Sequence, residues 1–200
     1  ALVAELMKFR LLFAVLFWGM IVPKEAMTAL LWLETVDVDN GKPIPCLIRF
    51  KGLGETARPI QTKFLNRGTG LPKNHPTGQW LCFPGTGEIE QVTGNLTVEA
   101  IAGPEYEMAK EDLQIKKEGT ADVKLQLKRI ANPRKAGWRS GNTHLHLNNM
   151  SRAQADEYLR AVPASDGLEL VFVSNLRREK DESSYITNEH RTVDLQKLNT

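Results

Sequence analysis

The hydrophobic pattern divides the chain into three stretches of different period. Leu11–Val22 is an unbroken apolar run of twelve residues behind Lys8 and Arg10, with small residues near Ala26–Ala29. A basic head, a short apolar body and small residues match a secretory signal peptide, and twelve residues fall short of the ~20 that span a bilayer. With Met7 as the start, cleavage falls near Ala26, Thr28 or Ala29. Residues 1–29 are therefore assigned to a signal peptide and what precedes it. The mature chain is expected to be exported, periplasmic or extracellular, with no membrane span.

From Leu30 the pattern changes to strands and turns. Leu31, Leu33, Thr35, Val36 and Val38 predict a strand, and Asp39-Asn40-Gly41-Lys42 a turn, before Ile44–Phe50 resumes an extended run. A loop rich in Gly, Pro and Asn fills Lys51–Gly78, with a short extended piece at Ile60–Leu65. Further strands are predicted at Gln79–Phe83, Gly87–Thr93, Asn95–Ala102 and Ala121–Leu127. In the last, Val123, Leu125 and Leu127 alternate with Lys124, Gln126 and Lys128, giving one buried and one wet face. Short strands with regular turn punctuation predict a β-sandwich over residues 30–130.

Residues 131–137 read as a linker, and 138–200 follow a third pattern. Thr143, Leu145 and Leu147 suit a strand. Ser151 and Gln154 form a capping box for a helix whose stripe is Ala155, Tyr158, Leu159 and Val162; Pro163 ends it and Gly167 turns the chain. Leu168–Ser174 is a mostly apolar run, expected to be a strand buried on both faces. Strand, helix and strand make a βαβ unit with parallel strands. Thr192 caps a further predicted helix.

Composition narrows the choices. The 200 residues are 42% hydrophobic and 25% charged, which excludes wholesale disorder. Lys and Arg number 26 against 24 Asp and Glu, a net charge of +2, so charge gives no case for a nucleic-acid partner. Two cysteines, Cys46 and Cys82, are too few for a disulfide scaffold or a four-cysteine zinc site. Export permits one Cys46–Cys82 bridge, and two unpaired strand cysteines fit as well. A complete (β/α) barrel needs roughly 250 residues, more than this chain has.

Candidate chemistry concentrates at His144-x-His146. On a strand, residues i and i+2 share a face with Cα atoms about 6–7 Å apart, so two neutral imidazoles converge on one metal. In βαβ sheets ligands gather at the carboxyl ends of strands, where His146 lies. Other positions carry less. Asn95-Leu96-Thr97 is a glycosylation sequon inside a predicted strand, Trp80 and Phe83 read as core, and His75 as a solvated loop residue.

Two resemblances follow from these residues. Val36-Asp37-Val38-Asp39-Asn40-Gly41-Lys42-Pro43-Ile44-Pro45 resembles the first hairpin of carboxypeptidase-regulatory-like, transthyretin-like sandwiches. Gly94–Ala100 with the loop Gly103-Pro104-Glu105-Tyr106 resembles a later element of the same domains. Trp138-Arg139-Ser140-Gly141-Asn142-Thr143-His144-Leu145-His146 resembles the opening metal motif of the polymerase and histidinol phosphatase (PHP) superfamily, in its exported, carbaryl-hydrolase-like branch. The implied fold is a mainly β sandwich followed by the first βαβ unit of a PHP-type α/β barrel. The implied activity is hydrolysis of a phosphate, ester or carbamate bond in a small-molecule substrate, by water activated on divalent Zn, Mn or Fe, with His144 and His146 as first-strand ligands.

The sequence departs from that family at marked places. Asn142 stands where the family commonly has Asp, a change expected to weaken support of the ligands. Ser174-Asn175-Leu176 replaces the family's Thr-Asp-His at the end of the second strand, so those ligands do not carry over, and His190 is not at a matching position. Arg177 and Arg178 follow the second strand, either as a site for an anionic substrate group or as a solvated loop pair. The remaining ligands are expected from strands beyond Thr200. The alternative is a non-catalytic secreted sandwich, a binding or spacer module with a vestigial metallohydrolase tail.

Overall fold

The structure is a computed structural model and describes residues 29–52, 63–90, 94–116, 119–147, 150–178 and 186–189. The apolar run at 11–22, His190 and the helix expected after Thr192 lie outside the described residues. Among the described residues ten strands form three sheets, accompanied by one α-helix. In the sandwich, β1 (Leu30–Asp37), β4 (Thr86–Glu90) and β7 (Thr120–Leu127) make a three-stranded sheet in the order β4-β1-β7, with β1 and β7 parallel. The facing antiparallel sheet has the order β3-β2-β5-β6, from β2 (Cys46–Lys51), β3 (Leu81–Phe83), β5 (Gly94–Ile101) and β6 (Ala109–Ile115).

Alternation builds the core between them. Leu31 and Leu33 of β1, Ile48 of β2, Phe83 of β3, Val98 of β5 and Leu125 and Leu127 of β7 point inward and are buried. Each such side chain contributes roughly 1.5–3 kcal/mol on leaving water. Phe64 reaches in from the long loop and meets Phe83 edge-to-face at 5.0 Å.

Two sandwich expectations need correction. Asp39-Asn40-Gly41-Lys42 does turn the chain, with Gly41 at φ 67° donating its amide to the Asp37 carbonyl at 2.8 Å. The hairpin it closes is short: the Asp37 amide donates to the Lys42 carbonyl and the Ile44 amide to that of Thr35 around the Val36–Pro43 bridge, after which β2 enters the other sheet. Strand β6 was not expected at all, since Lys110, Glu111 and Asp112 break its apolar alternation. Charges of that kind suit an edge strand, which β6 is.

A third sheet carries β8 (Gly141–His146), β9 (Leu170–Arg178) and β10 (Ile186–Glu189) in the order β10-β9-β8. β8 and β9 are parallel and joined by α1 (Arg152–Ser165), the expected strand-helix-strand unit. The capping box is present: the Ser151 amide donates to Gln154 Oε1 at 2.9 Å, and the Gln154 amide to Ser151 Oγ at 3.3 Å. Pro163 lies inside the helix rather than ending it. The stop comes at Gly167 (φ 71°), whose amide reaches the Ala164 carbonyl while that of Leu168 reaches Pro163, a Schellman closure. Pro163 withholds the N–H that the Leu159 carbonyl would accept in a regular helix, and the helix stops within one turn of it.

Helix α1 is sandwiched between two sheets. Tyr158 and Val162 are buried with Cys82, against Leu47 and Leu65 of the sandwich side and Leu145 and Leu147 of the third sheet. Only one face of β8 and β9 is covered this way. Leu170 and Phe172 are 53% and 61% exposed, so β9 is not buried on both faces as its composition implied. The linker is also pinned: Pro133–Ala136 forms a 3-10 turn, and Arg134 and Arg139 both pair with Glu169.

Cys46 and Cys82 form no disulfide; both are free and buried. On the antiparallel β2–β3 pair Cys46 lies opposite Phe83 and Leu47 opposite Cys82, so the two cysteines point to opposite faces of the sheet. Burial pushes the Cys46 thiol up to about 12 and that of Cys82 to about 11. Both are expected to resist a thiol reagent at pH 8 in the native protein and to react fully in denaturant. A native mass lower by two hydrogen atoms that persists until reduction would contradict this.

Candidate functional site

Strand β8 does not run flat. Asn142 pairs with Val171 and Leu145 with Val173, three steps on one strand against two on the other, so an extra residue bulges between them. The Asn142 side-chain oxygen accepts the His144 amide at 2.9 Å, occupying a donor that the bulge takes out of the ladder. His144 is exposed beside this bulge, while Leu145 turns toward α1 and returns to register. Asn142 thus holds the backbone at His144. His146 occupies the last position of β8, opposite Ser174.

The second strand continues past that point. Asn175 and Leu176 pair with Glu189 and Asn188 of β10. Arg177 and Arg178 are not in a loop after the strand but are its final residues, opposite Thr187 and Ile186. Three residue steps take position 174 to 177, about 10 Å along a strand. Among the described residues no group of three or more His, Cys, Asp or Glu side chains is placed to hold a metal. A protein-held zinc site takes three or four such ligands, so the described residues do not complete one.

The remaining candidates have structural roles. His75 caps the 3-10 turn Pro76–Gln79 through Nδ1, which lies 2.7 Å from Thr77 Oγ1. Phe83 is core, and Trp80 carries the Arg49 guanidinium 4.3 Å above its ring.

The sequence reading missed a buried ion cluster where the sandwich meets the linker. Arg129 pairs with Glu105 and with Asp37 (3.4 Å), donates to the Tyr106 hydroxyl, and lies 4.3 Å over the Tyr106 ring. Tyr106 in turn donates to Asp37 Oδ2 at 2.6 Å. Burial pulls the Asp37 carboxyl upward, but the Tyr106 hydroxyl, the Asp39 amide and Arg129 outweigh it and hold it below its ordinary value. Burial, with Asp37 as hydrogen-bond acceptor, raises the Tyr106 phenol well above its usual range. The sole signal in the sequence was acidic residues at the edges of apolar strands.

No model of a protein family matches the chain, and no curated protein does. Among solved structures, GBS52, the minor pilin of the gram-positive pathogen Streptococcus agalactiae, is similar at TM-score 0.37 and 21% identity, over 54% of this chain and 47% of that one. The Bacillus anthracis TIE protein is similar at TM-score 0.34 and 13% identity, over 52% of this chain and 17% of that one. The chain thus spans less than half the length of either, and likeness of this degree carries nothing over. Among the described residues no helix is long and apolar enough to cross a membrane.

Proposed function

We propose that the chain is the N-terminal portion of an exported metal-dependent hydrolase of the PHP type, acting on a phosphate, ester or carbamate bond. The observation that carries this reading is His144-x-His146 on β8, the first strand of a parallel βαβ unit, with Asn142 bracing the His144 backbone. His144 and His146 would supply two ligands to a divalent ion, Zn, Mn or Fe, and residues outside the described ones would supply the rest. A bound ion of this kind lowers the pKa of its water and offsets developing oxyanion charge. Asn142 fixes the strand geometry, and Arg177 and Arg178 extend β9 beyond it as candidates for an anionic substrate group. Residues 1–29 would direct export.

Metal analysis of the protein extended past Thr200 to include the further strands tests the assignment. Stoichiometric Zn, Mn or Fe is expected in the wild type. Its loss in His144→Ala/His146→Ala is expected without a fall in Tm of the sandwich. Wild-type metal content in the double variant, or none in the wild type, removes the site and leaves the non-catalytic module.

A further inference from the structure

We infer that the outer face of the β4-β1-β7 sheet docks an extended, arginine-bearing segment of a partner protein. Helix α1 packs on the other sheet of the sandwich, against β2 and β3. In the β4-β1-β7 sheet Leu31, Leu33 and Ile89 point into the core, so Trp32, Glu88 and Glu90 between and beside them point outward. Trp32 stands on the central strand of that face and is 41% exposed. A lone exposed apolar residue needs no explanation; the surroundings of this one supply it.

Trp32 is flanked by acid on both sides. In the ladder registers it lies opposite Glu88 on β4 and opposite Asp122 on β7. Directly paired residues on one face stand about 5 Å apart at Cβ and diagonal ones about 7–8 Å, which brings Glu90 within reach as well. Glu88, Glu90 and Asp122 are exposed and, among the described residues, have no ion-pair partner. The other charges at outward positions of these strands, Glu34 and Lys124, pair with each other at 3.0 Å. Three negative charges therefore stand uncompensated around Trp32, on a chain whose net charge is +2. The excess belongs to this face.

Charge complementarity selects the occupant. A guanidinium laid on the Trp32 indole gains cation–π attraction, and its planar fork reaches a carboxylate on either side. Glu88 and Glu90 are two positions apart on β4, about 7 Å along the strand. An extended peptide presents side chains on one face at the same interval, so arginines at i and i+2 meet first Trp32 with Glu88 and then Glu90. Nucleic acid and anionic lipid are repelled by the same charges.

The peptide acetyl-Ser-Arg-Ser-Arg-Ser-amide, titrated into the full chain at about 20 mM sodium chloride, tests the surface by amide and indole NMR shifts. Saturable shifts at Trp32, Glu88 and Asp122 are expected. The dissociation constant should be about 0.1–1 mM and rise several-fold by about 300 mM salt. Trp32→Thr and Glu88→Gln/Asp122→Asn should each weaken binding about fivefold. Glu111→Gln/Glu157→Gln removes two exposed charges elsewhere and should leave binding unchanged.

Absence of a saturable shift overturns the proposal, as does unchanged binding in Trp32→Thr or in Glu88→Gln/Asp122→Asn. Equal weakening in Glu111→Gln/Glu157→Gln would mean net charge alone, and equal binding of the citrulline peptide stacking alone. Equal binding of a peptide with one arginine would mean a site for a single cation. A concentration-dependent dimer abolished by Trp32→Thr would make the occupant a second copy of the chain. Each of these results also overturns it.

Discussion

Arg129→Met is expected to lower the free energy of unfolding at pH 7 by about 3–5 kcal/mol, the usual cost of removing one partner from a buried ion pair. The Arg129 side chain is 12% exposed and joins Asp37, Glu105 and the Tyr106 hydroxyl. Methionine fills much of the same volume over the Tyr106 ring, so the loss reads the charge rather than a cavity. Asp37 keeps donors from Tyr106 (2.6 Å) and from the Asp39 amide (2.8 Å), whereas Glu105 loses the one side chain that holds it. The penalty should therefore fall mainly on Glu105.

The pH dependence follows from the sign of the Asp37 shift. A carboxyl held below its ordinary 3.8 in the folded state adds stability above that value, lost as pH falls through the folded pKa. The wild type should lose this contribution below about pH 4. In Arg129→Met the carboxylates become easier to protonate when folded, so the gap between the two proteins should narrow on acidification. Urea midpoints at pH 7 and pH 3.5 measure it; a deficit under about 1 kcal/mol at pH 7, or one equal at both pH values, would show that the cluster is not held by charge.

That cluster also marks where the sequence stops being legible. Val123, Leu125 and Leu127 announced β7 because a strand with one wet face must alternate, and the capping box at Ser151 and Gln154 announced α1 because it satisfies amides locally. Both signals are complete within a few residues. Asp37 and Arg129 stand 92 positions apart, and no local pattern links them.

The same limit explains the errors at strands. Leu31 and Leu33 share a core with Cys46 and Ile48, and a period of two is identical whether those strands are neighbours or face each other across the core. The turn at Asn40-Gly41 was therefore legible and its topology was not. At the candidate site, His-x-His and the parallel βαβ unit were visible. The bulge was not, because it arises from register against β9 and from Asn142 bonding to the backbone. The exposure of Leu170 and Phe172 depends on what covers β9, which lies beyond any local pattern.

Gly103→Ala is expected to loosen the docking of the βαβ unit on the sandwich. Gly103 has φ +74°, a conformation that costs a residue with a Cβ about 1–2 kcal/mol. A Cβ there would also lie 2.4 Å from the Asp166 carbonyl oxygen and 3.1 Å from the Gly167 Cα. Gly167 is left-handed as well, at φ +71°, so the two glycines let the backbones pass in contact. Relief by movement is blocked, because Asp166 closes α1 and its carboxylate holds the Arg67 guanidinium at 2.8–3.1 Å, with Arg67 also donating to Tyr158 at 2.7 Å. Either the helix end shifts and that clasp opens, or the loop after β5 distorts. The combined cost should reach about 3 kcal/mol. Hydrogen exchange separates the two outcomes: faster exchange along α1 with β2 and β5 still protected means undocking, whereas uniform loss means the sandwich itself carries the strain. Unchanged exchange and stability would show that the close approach at Gly103 and Gly167 has no part in joining the two halves of the fold.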